Sequence, residues 1–407
     1  MGKFNRKELF LLASFASAWI VYSVFSSLYG AEATVMMNFF GISTTQQGFL
    51  ITIQCIGGLG VSLLCVFFGE RMSKLKMIAF GIILLSAGSL ATVFSVNYLQ
   101  VMMFALIGGI GYNFMDIMEN AAVVEIFPDK TKTALPALHM TFGIGAVAGP
   151  FFATAVVDPD VLSSFSRPFL VVGIAGFAVL AVFLIASGGM RGQQPQKAAP
   201  GKTQNSGSIF KYPAAWVMVI AGVLYFSFQR GVSTWYPSYL IESANVSFQF
   251  SGLALTLFFL GSLACRVASP FLFNRFSILR MCILMTVFSG VCMAASVALA
   301  PVWVGLSVAV AIAGGVMQGA YVASYVFLIC EMFPGKTASA TGIVMIAINL
   351  GGITSPLWMG WMAEQMGFTI PLYIISVMML GSAALIAAAH KINQKNREQD
   401  TEPLCAS

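Results

Sequence analysis

Four polar residues recur in an otherwise apolar stretch, Asn113, Asp116, Glu119 and Asn120 within Gly108–Asn120. At helical spacing they share a sector of about a third of the circumference, which makes a single polar stripe on one face. A third acid, Glu32, closes the run Trp19–Glu32 and lies one turn beyond Tyr29 and Leu28. Carboxyl groups in such surroundings change chemistry, because desolvation and mutual repulsion both favour the neutral, protonated form. Asp116, Glu32 and Glu119 are therefore candidate proton carriers. Sodium stays open as the coupling ion, since Asp116, Asn120 and backbone carbonyls offer the oxygen ligands a hard cation takes.

Other residues suit binding of a polar solute. The segment Tyr225–Leu240 interleaves Gln229, Trp235 and Tyr239 with small residues. Flat rings stack on the apolar face of a sugar ring, and amides or carboxylates bond its hydroxyls. Trp235 and Tyr239 read equally well as interfacial anchors, whereas Gln229, deeper in the stretch, favours binding. Tyr29, Asn113 and Asn120 complete a candidate solute set with the amides Gln54 and Gln318, for which hydrogen bonding between helices is the competing reading. Arg266 can face an anionic group or snorkel to the membrane surface. Arg230 points away from its neighbour Gln229, and His139 reads as a helix-terminus residue with proton relay as the lesser reading.

The elements that must position these side chains are membrane helices. Of the 407 residues, 58% are hydrophobic and 9% charged, against about 25% charged in a soluble domain. Twelve apolar stretches of about 20 residues are centred near residues 20, 57, 86, 110, 146, 177, 227, 261, 288, 314, 351 and 380. The chain is also duplicated. Glu125–Thr131 (EIFPDKT) returns as Glu331–Thr337 (EMFPGKT) at an offset of 206, which also carries Gly108-Gly109 onto Gly314-Gly315 and Pro150 onto Pro356. Under that offset Asp116 falls on Val322, Glu119 on Tyr325, Asn120 on Val326 and His139 on Met345, so the polar stripe belongs to one half only.

The expected domains are a six-helix bundle over 1–190, a polar linker over 191–212, a second six-helix bundle over 213–393 and a tail over 394–407. With both termini on the same side, 18 of the 21 basic residues fall in loops on that side, all but Arg167, Arg230 and Arg266. The side is thus expected to be cytoplasmic. The net charge of +6 comes from these topogenic clusters, and no basic patch with interleaved aromatics suggests a nucleic-acid partner. Met1–Ala18 has a leader-like outline, but the apolar run continues past Ala18, which favours an uncleaved first span. The seven cysteines show no metal or disulfide spacing, Gly2 and Cys405 sit in no lipidation motif, and no phosphate-binding loop suggests nucleotide hydrolysis.

Two six-helix halves joined by a linker resemble the major facilitator superfamily, whose halves are related by an axis along the membrane normal. The loop Glu70-Arg71-Met72-Ser73-Lys74 resembles that family's Asp-Arg-x-Gly-Arg loop, and Asn274-Arg275-Phe276-Ser277 is its weaker second copy. The resemblance implies a charge-paired gate of Glu70, Arg71 and Arg275, with a purely topogenic role as the plainer reading. An acid late in the first span and Asp116-x-x-x-Asn120 in the fourth resemble the fucose/proton symporter group and related sodium-linked glucose carriers, although Ala121 stands where that group has Pro. Tyr225–Leu240 is similar to the aromatic segment of sugar-type carriers, with Gln229 in place of Glu.

The resemblance implies an all-α membrane protein, twelve transmembrane helices in two pseudo-symmetric six-helix bundles. It implies a monomer in the bacterial inner membrane that takes up a small polar solute such as a sugar with protons, and neither an enzyme nor a holder of a cofactor or metal. Proton-antiport efflux of drugs or metabolites, served by 23 Met and 35 Phe as an adaptable apolar lining, is the rival. A membrane sensor would need a soluble signalling domain that the chain has no room for.

Overall fold

Asn5 and Ser43 start the first two membrane helices by the same local device. Each side-chain oxygen accepts the N–H of the third helical residue, and that residue, Glu8 or Gln46, bonds back to the cap N–H, which satisfies two of the donors a helix start leaves open. The computed structural model describes residues 4–188, 209–273, 275–333 and 337–401. Among these residues every regular element is helical and none is a strand.

In chain order the helices of the first half are α1 Arg6–Ala31, α2 Ala33–Phe40, α3 Thr44–Phe68, α4 Lys74–Val93, α5 Tyr98–Ile126, α6 Thr131–Val156 and α7 Ser166–Gly188. Those of the second are α8 Pro213–Ala244, α9 Phe248–Phe273, α10 Ile278–Leu299, α11 Val304–Gln318, α12 Tyr321–Met332, α13 Thr337–Met366 and α14 Thr369–Thr401. Twelve stretches among the described residues are long and apolar enough to cross a membrane, with α11 and α12 together forming one of them. The polar linker expected over 191–212 lies mostly outside the described residues. The tail expected from residue 394 begins as a continuation of α14, which runs to Thr401; its Lys, Arg, Gln and Glu residues are good helix formers outside the bilayer.

Two compact units divide the chain, Met1–Lys202 with Ser233–Leu257 and Pro356–Gln365, and Thr203–Val232 with Phe258–Ser355 and Met366–Ser407. The first unit thus takes in the C-terminal part of α8, the first part of α9 and nearly three turns of α13. Within it α1 packs on α6 and α7, α4 on α5 and α7, and α3 on α5. Lipid offers no hydrophobic drive between helices, so close approach of small residues carries the packing. On α6, Gly145 and Gly149 leave room for Ser23 and Ser27 of α1, and the Ser23 hydroxyl donates to the Phe142 carbonyl at 2.7 Å. In the second unit α10 is the hub, packing on α11, α12 and α14.

The repeated residues do the same work twice. A side chain at Gly109 would strike the Gln54 backbone of α3, and one at Gly315 would strike the Phe258 backbone of α9. The glycine lets the fourth helix of each half lie against the second. The repeated Phe-Pro ends the helix in both copies, with Phe127 at φ −121°, ψ 53° and Phe333 at φ −131°, ψ 73°, because a residue before proline is pushed out of the α region. One break has no counterpart in the reading of the sequence as continuous spans: the tenth span is interrupted at Gly319-Ala320, where Gly319 lies against the Ser262 carbonyl and the Arg266 amide.

Gly109→Val and Gly315→Val should each cost about 1–3 kcal/mol through overpacking and lower the melting temperature of the detergent-purified protein. Gly60→Ala, which meets nothing within 4 Å, should leave it unchanged or raise it.

Candidate functional site

The polar stripe of α5 divides by environment. Asn113 is buried and donates to the Gly109 carbonyl at 2.9 Å, closing the gap at the bare face of Gly58. Asn120 donates to the Asp116 carbonyl at 2.7 Å and to its carboxylate Oδ1 at 3.0 Å, so a charge-assisted bond holds Asp116 in place on its own helix. Asp116 and Asn120 are half-buried. Glu119, one turn further, is fully buried, and neither carboxyl oxygen has a hydrogen-bond partner. The indole N–H of Trp19 on α1 approaches it without reaching hydrogen-bond geometry.

An aromatic wall from three helices adjoins Glu119 through Trp19. Trp19 meets the exposed His139 of α6 edge-on at 4.8 Å and Tyr22 at 6.0 Å; Tyr22 lies against Tyr112 at 3.9 Å and Phe142 at 5.4 Å. Among the described residues, no Lys or Arg lies within 4 Å of the Asp116 or Glu119 carboxyls. Among the described residues, the first half's ion pairs are Lys74–Glu125 at 2.9 Å and Lys130–Glu8 at 2.5 Å, both near the helix ends that carry the basic loops. Asp116 and Glu119 thus form a compact acid pair with one side half-open and one side sealed.

Glu32 does not join them. It caps the end of α1 and is fully buried, 13 residues beyond Trp19, or about 20 Å along the helix axis. The expected single proton system of Asp116, Glu119 and Glu32 is two separate acidic places. Tyr29 lies beside Glu32, with its ring against Phe25 and Phe169.

The remaining candidates scatter. Gln54 is buried on α3 and donates weakly, at 3.4 Å, to its own helix at Leu50. Trp235 and Tyr239 are fully buried, and the Trp235 indole donates to the Pro356 carbonyl at 3.2 Å, so in this structure they pack within the first unit and present no open platform. Gln229 and Arg230 are half-buried on α8. In the second unit Gln318 is buried with its side-chain amide nitrogen unpartnered, and its backbone carbonyl accepts the Tyr225 hydroxyl at 3.4 Å. Tyr225 stacks on Tyr321 at 3.5 Å and Tyr321 on Tyr325 at 5.3 Å, with Arg266 close enough to Tyr225 to interact electrostatically. Arg71 and Arg275 are exposed; the side chain of Glu70 and all of Asn274 lie outside the described residues. At that loop Lys74 makes the ion pair, reaching Glu125 of the repeated heptapeptide.

Sequence reasoning did not single out Trp19, Tyr22 or Tyr112. The available signal was positional, with Trp19 and Tyr22 three apart on α1 and Tyr112 one turn before Asp116.

The sequence matches the profile described as Major Facilitator Superfamily over residues 11–310 and, overlapping it, 245–403. A relative in Bacillus subtilis, the uncharacterized MFS-type transporter YfkL, is 23% identical over 299 residues, 71% of this chain and 73% of that one. The fold is similar to that of a bacterial homologue of the human lysosomal transporter Spinster, with a TM-score of 0.77 at 12% identity over 96% of this chain and 98% of that one. It is similar also to a D-xylose-proton symporter, with a TM-score of 0.74 at 13% identity over 93% and 97%.

A buried carboxyl without partners is a net cost, whereas one held by an amide is not. Glu119→Met should therefore leave the melting temperature unchanged or raise it, while Asn120→Leu, which strips Asp116 of its donor, should cost about 1–3 kcal/mol. Equal losses in the two variants would show that Glu119 is satisfied after all.

Proposed function

The chain belongs to the Major Facilitator Superfamily, and on that footing we propose that it is a secondary active carrier that couples a small polar solute to protons through Asp116 and Glu119. The observation that carries this reading is the acid pair on α5. One carboxyl is half-open and held by Asn120, the other is sealed beside Trp19, and among the described residues no Lys or Arg pairs with either.

An ionised carboxylate resists transfer out of water, and a protonated one does not. Protonation of the half-open Asp116 is the step that permits the site to close. Glu119, one turn deeper, accepts the proton or repels a second charge, so that the pair holds one negative charge or none. Release on the side of lower proton concentration restores the charge and reopens the site. Asn120 positions Asp116, and Trp19 offers Glu119 its one nearby donor.

A sugar-like solute remains the reading for what is carried. Its support is the half-buried amide Gln229 and the fold shared with a protein described as a D-xylose-proton symporter. With Trp235 and Tyr239 packed away, aromatic contact to such a solute falls to the half-buried Tyr112, one turn before Asp116. The distribution of Lys and Arg supports a topology with both termini in the cytoplasm, and uptake from outside is the direction this reading takes.

The test starts from a thermal-shift screen of purified protein against sugars, polyols and organic anions at two pH values. For a stabilising solute in proteoliposomes, an inward proton gradient should drive accumulation by wild type. Asp116→Asn should abolish accumulation while leaving solute exchange at equal pH. Full proton-driven accumulation by Asp116→Asn would refute the coupling role.

A further inference from the structure

We propose that Glu32, Tyr29, Gln47 and Ser95 form a second cation site, apart from the acid pair, whose occupant is a monovalent alkali ion such as Na+. It goes beyond the proton-coupled reading and does not depend on it.

Three elements of the first unit meet at the end of α1. Glu32 occupies the single residue between α1 and α2, fully buried, with neither carboxyl oxygen hydrogen-bonded. Gln47, in the first turn of α3 and also fully buried, donates Nε2 to the Tyr29 carbonyl at 2.8 Å. A carbonyl can only accept, so this bond fixes which way the amide faces. Gln47 Oε1 is turned away from it, buried and without a partner. Tyr29, one turn before Glu32 on the same face, interacts with it electrostatically, and its buried hydroxyl has no hydrogen-bond partner. That hydroxyl reaches toward Thr92 of α4, whose own hydroxyl is committed to the Gly88 carbonyl at 2.9 Å. Ser95 follows α4, its N–H bonded to the Thr92 carbonyl at 3.1 Å and its Oγ buried and unpartnered.

Five oxygens on these neighbouring residues are left without partners, two of them hydroxyls. Glu32 has no basic residue within 4 Å in the described structure. Arg167, in the first turn of α7 at that end of the first half, is exposed and donates to the Val156 carbonyl at 3.3 Å. Carboxylate, amide carbonyl and hydroxyl oxygens are the ligands of hard cations. A single carboxylate balances a single positive charge, which selects a monovalent ion over Ca2+ or Mg2+. The proton is the competing occupant, and it differs in being indifferent to which alkali salt is present.

Binding is read without any transported solute. The full-length protein in detergent at fixed pH and ionic strength is melted while NaCl replaces choline chloride, with KCl and LiCl in parallel. Wild type should show a saturable stabilisation by Na+ over choline. Glu32→Gln should lose it, Asp116→Asn should keep it, and Tyr29→Phe or Ser95→Ala should weaken the apparent Na+ affinity about ten-fold. The hydroxyl deletions keep the test decisive if Glu32→Gln does not fold. No difference between Na+ and choline in wild type, with melting that responds to pH alone, overturns the proposal in favour of a proton. Na+ stabilisation that survives Glu32→Gln, or that is lost in Asp116→Asn, also overturns it. Failure of proton coupling at Asp116 would appear in the accumulation assay and leave these melting curves untouched.

Discussion

Inside a bilayer no water is at hand to satisfy a polar atom, and this constraint orders the whole molecule. It leaves helices as the economical way to cross, since each closes its own backbone bonds. It also accounts for where the hydroxyls go. Ser14, Ser26, Ser27, Thr92, Thr141, Ser269, Ser324 and Ser376 all donate back to a carbonyl three or four residues earlier on their own helix. Ser23 and Ser89 reach instead to a neighbouring helix, at Phe142 and Phe169. Against that background of satisfied groups, the orphans stand out. Glu119, Glu32 with Tyr29 and Gln47, and Gln318 are among the buried groups left without partners.

The two halves share a frame and divide the chemistry. Gly109 and Gly315 let the fourth helix lie on the second in each, and Phe127 and Phe333 end that helix before a proline in the same backbone region. At the equivalent depth, however, the first half carries Glu119 and the second carries Tyr325. Tyr325 belongs to a stack with Tyr321 and Tyr225, and its hydroxyl donates to the Met218 carbonyl. A carboxyl can carry a negative charge, whereas a phenol with an ordinary pKa near 10 stays neutral at physiological pH. The ionisable groups of the stripe thus belong to the first half, and the stacked phenols to the second.

Much of the frame was legible in the residues. Apolar runs of bilayer length gave the spans, because length and hydropathy are all that a crossing helix must supply. The duplication marked the packing glycines and the Phe-Pro helix ends, since both act through local sterics. The stripe of Asn113, Asp116, Glu119 and Asn120 followed from helical periodicity alone. The break at Gly319-Ala320 did not, because Gly in a membrane helix signals a close neighbour as readily as a bend.

Which polar residue meets which was a tertiary matter. Asp116, Glu119 and Glu32 are the same kind of residue in apolar runs, and nothing local tells that two share one place while the third lies about 20 Å away along α1. Packing set Trp19 against Glu119, turned the Gln47 amide by way of the Tyr29 carbonyl, and buried Trp235 and Tyr239. By itself, the sequence determined that this is a duplicated twelve-span membrane protein with acids in one half, because composition and periodicity act through short-range physics. Only the tertiary structure decided which acids are held, which are sealed and which are left without partners, because contacts between helices depend on register and rotation that no single span encodes.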